Sequence, residues 1–195
     1  MRRIQTYIAM VLLLAGLALA VAACSGGGGS SPSEPTTYTN DEYGFTITHD
    51  AQFTEGEPVS AGAAAFSVVF PDKNGARVSD RYVEAIQVFV YKLPGVVKPA
   101  QVPKMKSEFE RVVQDMLSSL SNAKVVEPLT PITVNGVPGF GLKYTYTEGD
   151  TELTAVGFLL VKGTYLYQII AQSTTENWDG LKGKLEAAAK SFTAH

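Results

Sequence analysis

Four places in the 195-residue sequence carry side chains whose types and spacing could do chemistry. His49-Asp50 sets an imidazole beside a carboxylate, the pairing from which a general base and its orienting group are built. Neighbouring residues of a strand point to opposite faces, however, so a partly exposed histidine at a strand end is the plainer expectation. Glu148, Asp150 and Glu152 offer oxygen ligands to a hard cation such as calcium or manganese, but the same spacing in a tight hairpin more often marks a solvated turn. Gly136, Gly139 and Gly141 look superficially like a phosphate loop, yet they follow a hairpin signal and open a strand. Phosphate cradling requires a helix N-terminus aimed at the ligand, so turn and bulge glycines are expected instead. The fourth place is Cys24, the single cysteine, which excludes an internal disulfide and a cysteine-cluster zinc site. No Gly-x-Ser-x-Gly elbow is present, and the second histidine, His195, is terminal. The expectation is a protein without catalytic residues, cofactor or committed metal site.

Composition narrows the class further. With 45% hydrophobic and 18% charged residues the chain has enough apolar material for one domain. A formal charge of −3 leaves no basic excess to neutralise phosphates, so no nucleic-acid partner is expected.

Cys24 gains its meaning from what precedes it. Arg2 and Arg3 form a positive start, Tyr7 to Ala23 is apolar and uncharged, and Val21-Ala22-Ala23-Cys24 closes the run with small residues. This is the pattern of a secretory signal peptide over residues 1–23. The tetrapeptide resembles a bacterial lipobox, which implies that Cys24 becomes the mature N-terminus and is acylated. An uncleaved transmembrane helix is the weaker alternative, since the run is near the lower limit for spanning a bilayer. Residues 24–37 continue as lipidated cysteine and tether: Gly26 to Gly29, serines, Pro32 and Pro35 have nothing to bury and behave as flexible coil of roughly 20 Å r.m.s.. A lipid-anchored protein on the extracytoplasmic face of a cell membrane is expected.

The elements of the globular part, 38–195, are read from periodicity. Tyr43 to Ile47, Ala64 to Phe70 and Val83 to Tyr91 alternate as strands. In the third, Ile86, Val88 and Val90 form one apolar set and Ala85, Phe89 and Tyr91 the other, so both faces should be covered. Met105, Phe109, Val112, Met116 and Leu120 form one helical stripe. Lys124 to Val134, broken by Pro128 and Pro131, reads as an edge strand. Asn135-Gly136, Glu148-Gly149-Asp150 and Lys162-Gly163 then turn three successive strands into a meander. Ser173-Thr174-Thr175-Glu176 has the form of a capping box before a last helix with Trp178, Leu181, Leu185, Ala188 and Phe192 as its buried stripe. The fold class is α+β, a central antiparallel sheet with helices on both faces.

Two signatures, Tyr43-Gly44-Phe45 at the start and Glu176-Asn177-Trp178 followed by Lys190-Ser191-Phe192 at the end, resemble the PsbP-like domain. The segment from Phe158 to Tyr167 is similar to its penultimate hairpin. The resemblance implies an antiparallel sheet between helices and a non-enzymatic binding or assembly factor. Its branches serve partners as different as photosystem II, a small GTPase and envelope lipid-trafficking machinery, so it carries over no ligand residue. Where the family continues its first strand into a Tyr-Pro…Trp segment, this chain reads Thr48-His49-Asp50-Ala51-Gln52-Phe53.

The segment Leu93 to Pro103 is long, proline-rich and apolar. An apolar loop either packs down or meets a partner, which makes Leu93, Val96, Val97 and Val102 candidate contacts for a ligand or partner. Packing over the sheet edge is favoured, with a lid over a pocket as the sharper alternative, and Glu55 to Ala63 as a second flexible candidate. The leading function is a membrane-tethered binding or assembly module for an envelope protein or a small apolar ligand. A structural or cation-binding lipoprotein using Glu148 to Glu152, and a hydrolase built around His49, are the alternatives.

Overall fold

The computed structural model describes residues 34–56 and 63–195, so the leader, Cys24 and most of the Glu55–Ala63 segment lie outside the described residues. The order is β1 (Thr36–Asn40), β2 (Phe45–His49), β3 (Phe66–Pro71), β4 (Arg77–Val78), β5 (Arg81–Tyr82), β6 (Ala85–Val97) and a 3-10 helix (Pro99–Met105). Then follow α1 (Lys106–Ser118), β7 (Ser121–Val134), β8 (Val137–Glu148), β9 (Thr151–Thr174), α2 (Trp178–Ser191) and β10 (Thr193–Ala194).

The main sheet has five strands in the order β3-β6-β9-β8-β7, all neighbours antiparallel. β9 is too long to be straight. Its 24 residues would extend about 80 Å at about 3.3 Å each, several times the roughly 15 Å radius of gyration of such a domain. Its ends instead meet: the Thr175 N–H donates to the Glu152 carbonyl at 2.9 Å, and the hydroxyls of Thr154 and Thr175 are 2.9 Å apart. The strand doubles back around Gly163, which has φ +62°, and occupies two adjacent places in the sheet. Residues 151–160 pair with β8 and residues 163–172 with β6, which is the meander expected from the sequence.

Alternation along β6 divides the core in two. Ile86, Val88 and Val90 point to one face, where they meet Val68, Phe70, Ile169, Leu185 and Ala188. Phe89, Tyr91 and Leu93 point to the other, against Val102, Phe109, Phe140, Leu142 and Leu159. α2 and the small β1-β2-β10 sheet cover the first face, and the 3-10 helix and α1 cover the second. The fold is thus α+β with both faces of the sheet covered. β7 is the edge strand, and three shifts of register, between Ser121 and Lys124, Val125 and Glu127, and Glu127 and Thr130, interrupt its pairing. Bulges and prolines of this kind blunt an edge against uncontrolled pairing.

Asn135 and Gly136 have φ of +46° and +83°, as a type I′ turn requires. Asn135 also closes the far end of α2: its amide donates to the carbonyls of Lys190 at 3.0 Å and Phe192 at 2.9 Å. At the end of a helix these carbonyls lack intrahelical donors, so a turn residue is their cap.

Five local expectations are corrected. The first predicted strand starts at Phe45 rather than Tyr43, because Gly44 at φ +61° belongs to the turn, and a further strand, β1, takes in Thr36 and Thr37, which composition assigns to the tether. The capping box does not form. α2 starts at Trp178 with Asn177 as its N-cap, and the Ser173 hydroxyl donates to Glu84 at 3.1 Å instead. The 93–103 segment is not a loop, since β6 runs on to Val97 and the 3-10 helix begins at Pro99. His49 is buried, at 4% exposure, rather than partly exposed.

Candidate functional site

α1 does not close completely on the sheet edge. It presents Lys106, Glu110, Val113, Gln114, Leu117 and Ser118 to β7, residues that recur every three or four positions and so share one side of the helix. β7 answers with Ala123, Val125, Pro128 and Leu129, and Leu142 of β8 lies between. The walls border a shallow, open groove of about 500 Å³, mostly apolar, with charged and polar side chains along the helix rim. Lys106 and Glu110 form an ion pair at 3.5 Å on that rim, both half-exposed. Val125 and the adjacent Val126 are 51% and 52% exposed, large apolar side chains that folding leaves in water.

Part of the layer on the α1 face of the sheet is polar. Tyr91 donates to the Gln168 amide oxygen at 3.1 Å, and the Gln168 amide nitrogen donates to Sδ of Met116, on α1, at 3.4 Å. Tyr146 donates to Gln172 at 3.1 Å, and Gln172 donates to the Val83 carbonyl at 3.0 Å. Burial raises the Tyr91 and Tyr146 hydroxyls to about 12, with the Gln172 contact and Arg81 pulling Tyr146 back slightly. Tyr144, fully buried and stacked on Tyr146 at 6.0 Å, is raised for the same reason. Of these bonds the one from Gln168 to Met116 reaches α1, which otherwise packs on the sheet through Phe109, Val113 and Leu117.

The residues singled out from sequence fall elsewhere. Leu93, Val97 and Val102 are buried in the core of the α1 face, at 9%, 8% and 1% exposure, so they pack down as favoured. Val96 alone of the four is exposed, at 71%, and none of them lines the groove. The groove lies between α1 and β7, not beneath 93–103. Nδ1 of His49 meets the backbone carbonyl of Asp50 at 3.1 Å and its ring lies 4.5 Å from that of Phe70, while the Asp50 carboxylate pairs with Lys184 at 3.3 Å. The two side chains do not form a base and its orienter. Glu148 is engaged by Arg81, and among the described residues Glu148, Asp150 and Glu152 form no group able to hold a cation. A Cβ on Gly139 would lie 2.1 Å from the Leu159 carbonyl, so this glycine serves close strand approach.

Sequence reasoning also missed Glu84. It is 3% exposed and accepts from Ser173 at 3.1 Å, Asn177 at 2.8 Å and the Ala76 N–H at 3.1 Å. This carboxylate ties the start of α2 to the β3–β6 end of the sheet and has no opening to a ligand.

No curated protein matches this sequence. Among solved structures, cyanobacterial PsbP (CyanoP) from Synechocystis sp. PCC 6803 is similar at a TM-score of 0.61 and 17% identity, over 90% of this chain and 99% of that one. LpqN, described as involved in cell envelope biogenesis of Mycobacterium tuberculosis, is similar at 0.53 and 15%, over 84% and 85%. At such identities these likenesses establish the fold. The PsbP family model matches residues 34–194, almost the whole described chain. Antiparallel sheet, two covered faces and family match agree: the chain belongs to the PsbP family.

Proposed function

We propose that the protein is a lipid-anchored module on the extracytoplasmic face of the cell membrane, without catalytic activity, that binds a small apolar ligand or an apolar segment of an envelope protein in the α1–β7 groove. The observation that carries this reading is the groove itself: about 500 Å³, apolar walls and a polar rim, within the roughly 300–1,000 Å³ of small-molecule sites. The leader and the Val21-Ala22-Ala23-Cys24 motif support the anchor. The envelope role printed for LpqN, a protein of the same fold, agrees with the location. Among the described residues no helix is long and apolar enough to cross a membrane. Two chains suffice for stable anchoring and one does not.

The test has two arms. Labelled palmitate should enter the wild-type protein and be lost in Cys24→Ser. Lipids extracted from the purified protein should include an apolar species that is lost in Val125→Arg, and its absence from the wild type would count against the groove as a ligand site.

A further inference from the structure

We infer that two copies of this chain associate about a two-fold axis through the outer edge of β7, with Lys124 of each copy meeting Glu127 of the other. The inference goes beyond the groove as a ligand site and does not depend on it. β7 is the last strand of the main sheet, and no strand pairs with its outer edge. The stretch Ala123-Lys124-Val125-Val126-Glu127-Pro128 lies on it. This stretch mirrors itself with the charges exchanged: valine answers valine, lysine answers glutamate, and alanine answers proline. Two antiparallel copies laid side by side about its centre set Val125 against Val126 and Lys124 against Glu127, each pair occurring twice. An isologous contact requires this kind of self-complementarity.

The faces of the strand agree with this arrangement. Lys143 and Thr145, two residues apart in β8, share a face, and Nζ of Lys143 lies 5.0 Å from the ring centre of Trp178 in α2. Their partners in β7 are Glu127 and Lys124, so both charges of the stretch stand on the α2 face. A two-fold axis perpendicular to the sheet keeps each face on its own side, which brings the lysine of one copy to the glutamate of the other. Unlike charges directly opposite each other stabilise a pair of strands, and like charges destabilise it. A slip of one residue in either direction sets every charge opposite an apolar residue, so the register is specified.

The same residues lack partners within the chain. Lys124 and Glu127 are exposed, and among the described residues neither forms an ion pair. Val125 and Val126 are two of the three large apolar side chains left in water among the described residues, and they adjoin each other at the centre of the stretch. Val126 falls in a shift of register and has no partner in β8. Pro128 and Pro131 donate no N–H, so the contact is carried by side chains and cannot spread along the edge as a long backbone ladder. A two-fold contact closes at two copies and does not build a filament. Six residues a side fall well short of the roughly 20–30 of a standard interface, so the dimer is reversible.

The experiment uses the full chain, purified separately with light and with heavy nitrogen, mixed, and treated with a carbodiimide that condenses touching amines and carboxylates. The expected result is a product of twice the mass in which Lys124 of a light copy is joined to Glu127 of a heavy one. Sedimentation over a dilution series then compares charge reversals. Lys124→Glu alone and Glu127→Lys alone should each weaken dimerisation at least tenfold, and an equal mixture of the two variants should restore it, because each then meets its opposite. Glu127→Gln gives the same loss should Glu127→Lys, which faces Lys143, fold poorly. A chain that stays monomeric up to about 1 mM, the weak end of the affinity scale, overturns the inference. Dimers that survive either reversal unchanged, as association through lipid or detergent would, overturn it too. So does a mixture of the two variants that remains monomeric.

Discussion

The two faces of the main sheet are packed by different means. On the α2 face, Phe45, Phe70, Tyr167, Leu185 and Phe192 are essentially inaccessible, and Phe45 stacks on Phe192 at 5.7 Å with Tyr167 edge-on at 5.9 Å. On the α1 face, buried Tyr91, Gln168, Tyr146 and Gln172 form hydrogen bonds within the sheet, Gln168 also reaches Met116 of α1, and a groove remains between the helix and β7. Dense aromatic packing leaves no room for a ligand. α1 packs through Phe109 and Val113 but leaves the space beside β7 unfilled. One face is thus tightly filled, and the other leaves the groove proposed as a binding site.

Substitutions on the two faces should differ accordingly. Phe45→Ala removes a ring at the centre of the α2 face and should cost about 3–5 kcal/mol in urea unfolding. Leu117→Ala, on the groove wall and already part-exposed, should cost under about 1 kcal/mol. Equal losses at the two positions would erase the contrast.

Glu84→Ala should cost about 2–3 kcal/mol, because Ser173, Asn177 and the Ala76 amide lose their common acceptor. Amide exchange should show the loss first at the N-terminus of α2. Uniform exchange across α1 and α2 would mean that Glu84 does not act on α2 in particular.

The phenols give the α1 face a pH signature. Their pKa values are raised in the folded state, chiefly by burial, so the stabilising neutral form is fully present below the unfolded value of about 10 and is lost as pH rises through about 12. Stability should therefore fall between about pH 10 and 12. Tyr91→Phe should reduce that dependence, as read from ultraviolet absorbance of tyrosinate alongside circular dichroism. An unchanged slope would show that Tyr91 is not part of it.

The smallest effect on stability is expected at Val125. Val125→Arg alters a half-exposed edge position and should change stability by less than about 0.5 kcal/mol while abolishing uptake of an apolar probe in the groove. A stability loss as large as that of Phe45→Ala would assign Val125 to the core instead.

Much of the fold is legible in the sequence because its signals are local or periodic. The double alternation of β6 announced a sheet covered on both sides, the Asn135-Gly136 and Lys162-Gly163 pairs marked turns with positive φ, and the prolines of β7 marked an edge. The groove was less legible. Val125-Val126 was its one trace, since two successive valines of a strand cannot both face inward, and here both are half-exposed. The Leu93 to Val102 run was ambiguous because an apolar run looks the same whether it enters a core or awaits a partner. Three of the four candidates went to the core. The capping box failed because Ser173 found a buried carboxylate 89 residues away in sequence, and no local pattern registers such competition.

Strand periods, turn positions and the two helices were determined by the sequence alone, since each depends on neighbours a few residues apart. The height of α1 above the sheet, the place of Glu84 and the existence of the groove were decided only when distant segments met. Their cause is the geometry of packing between elements, which residue types in order do not specify.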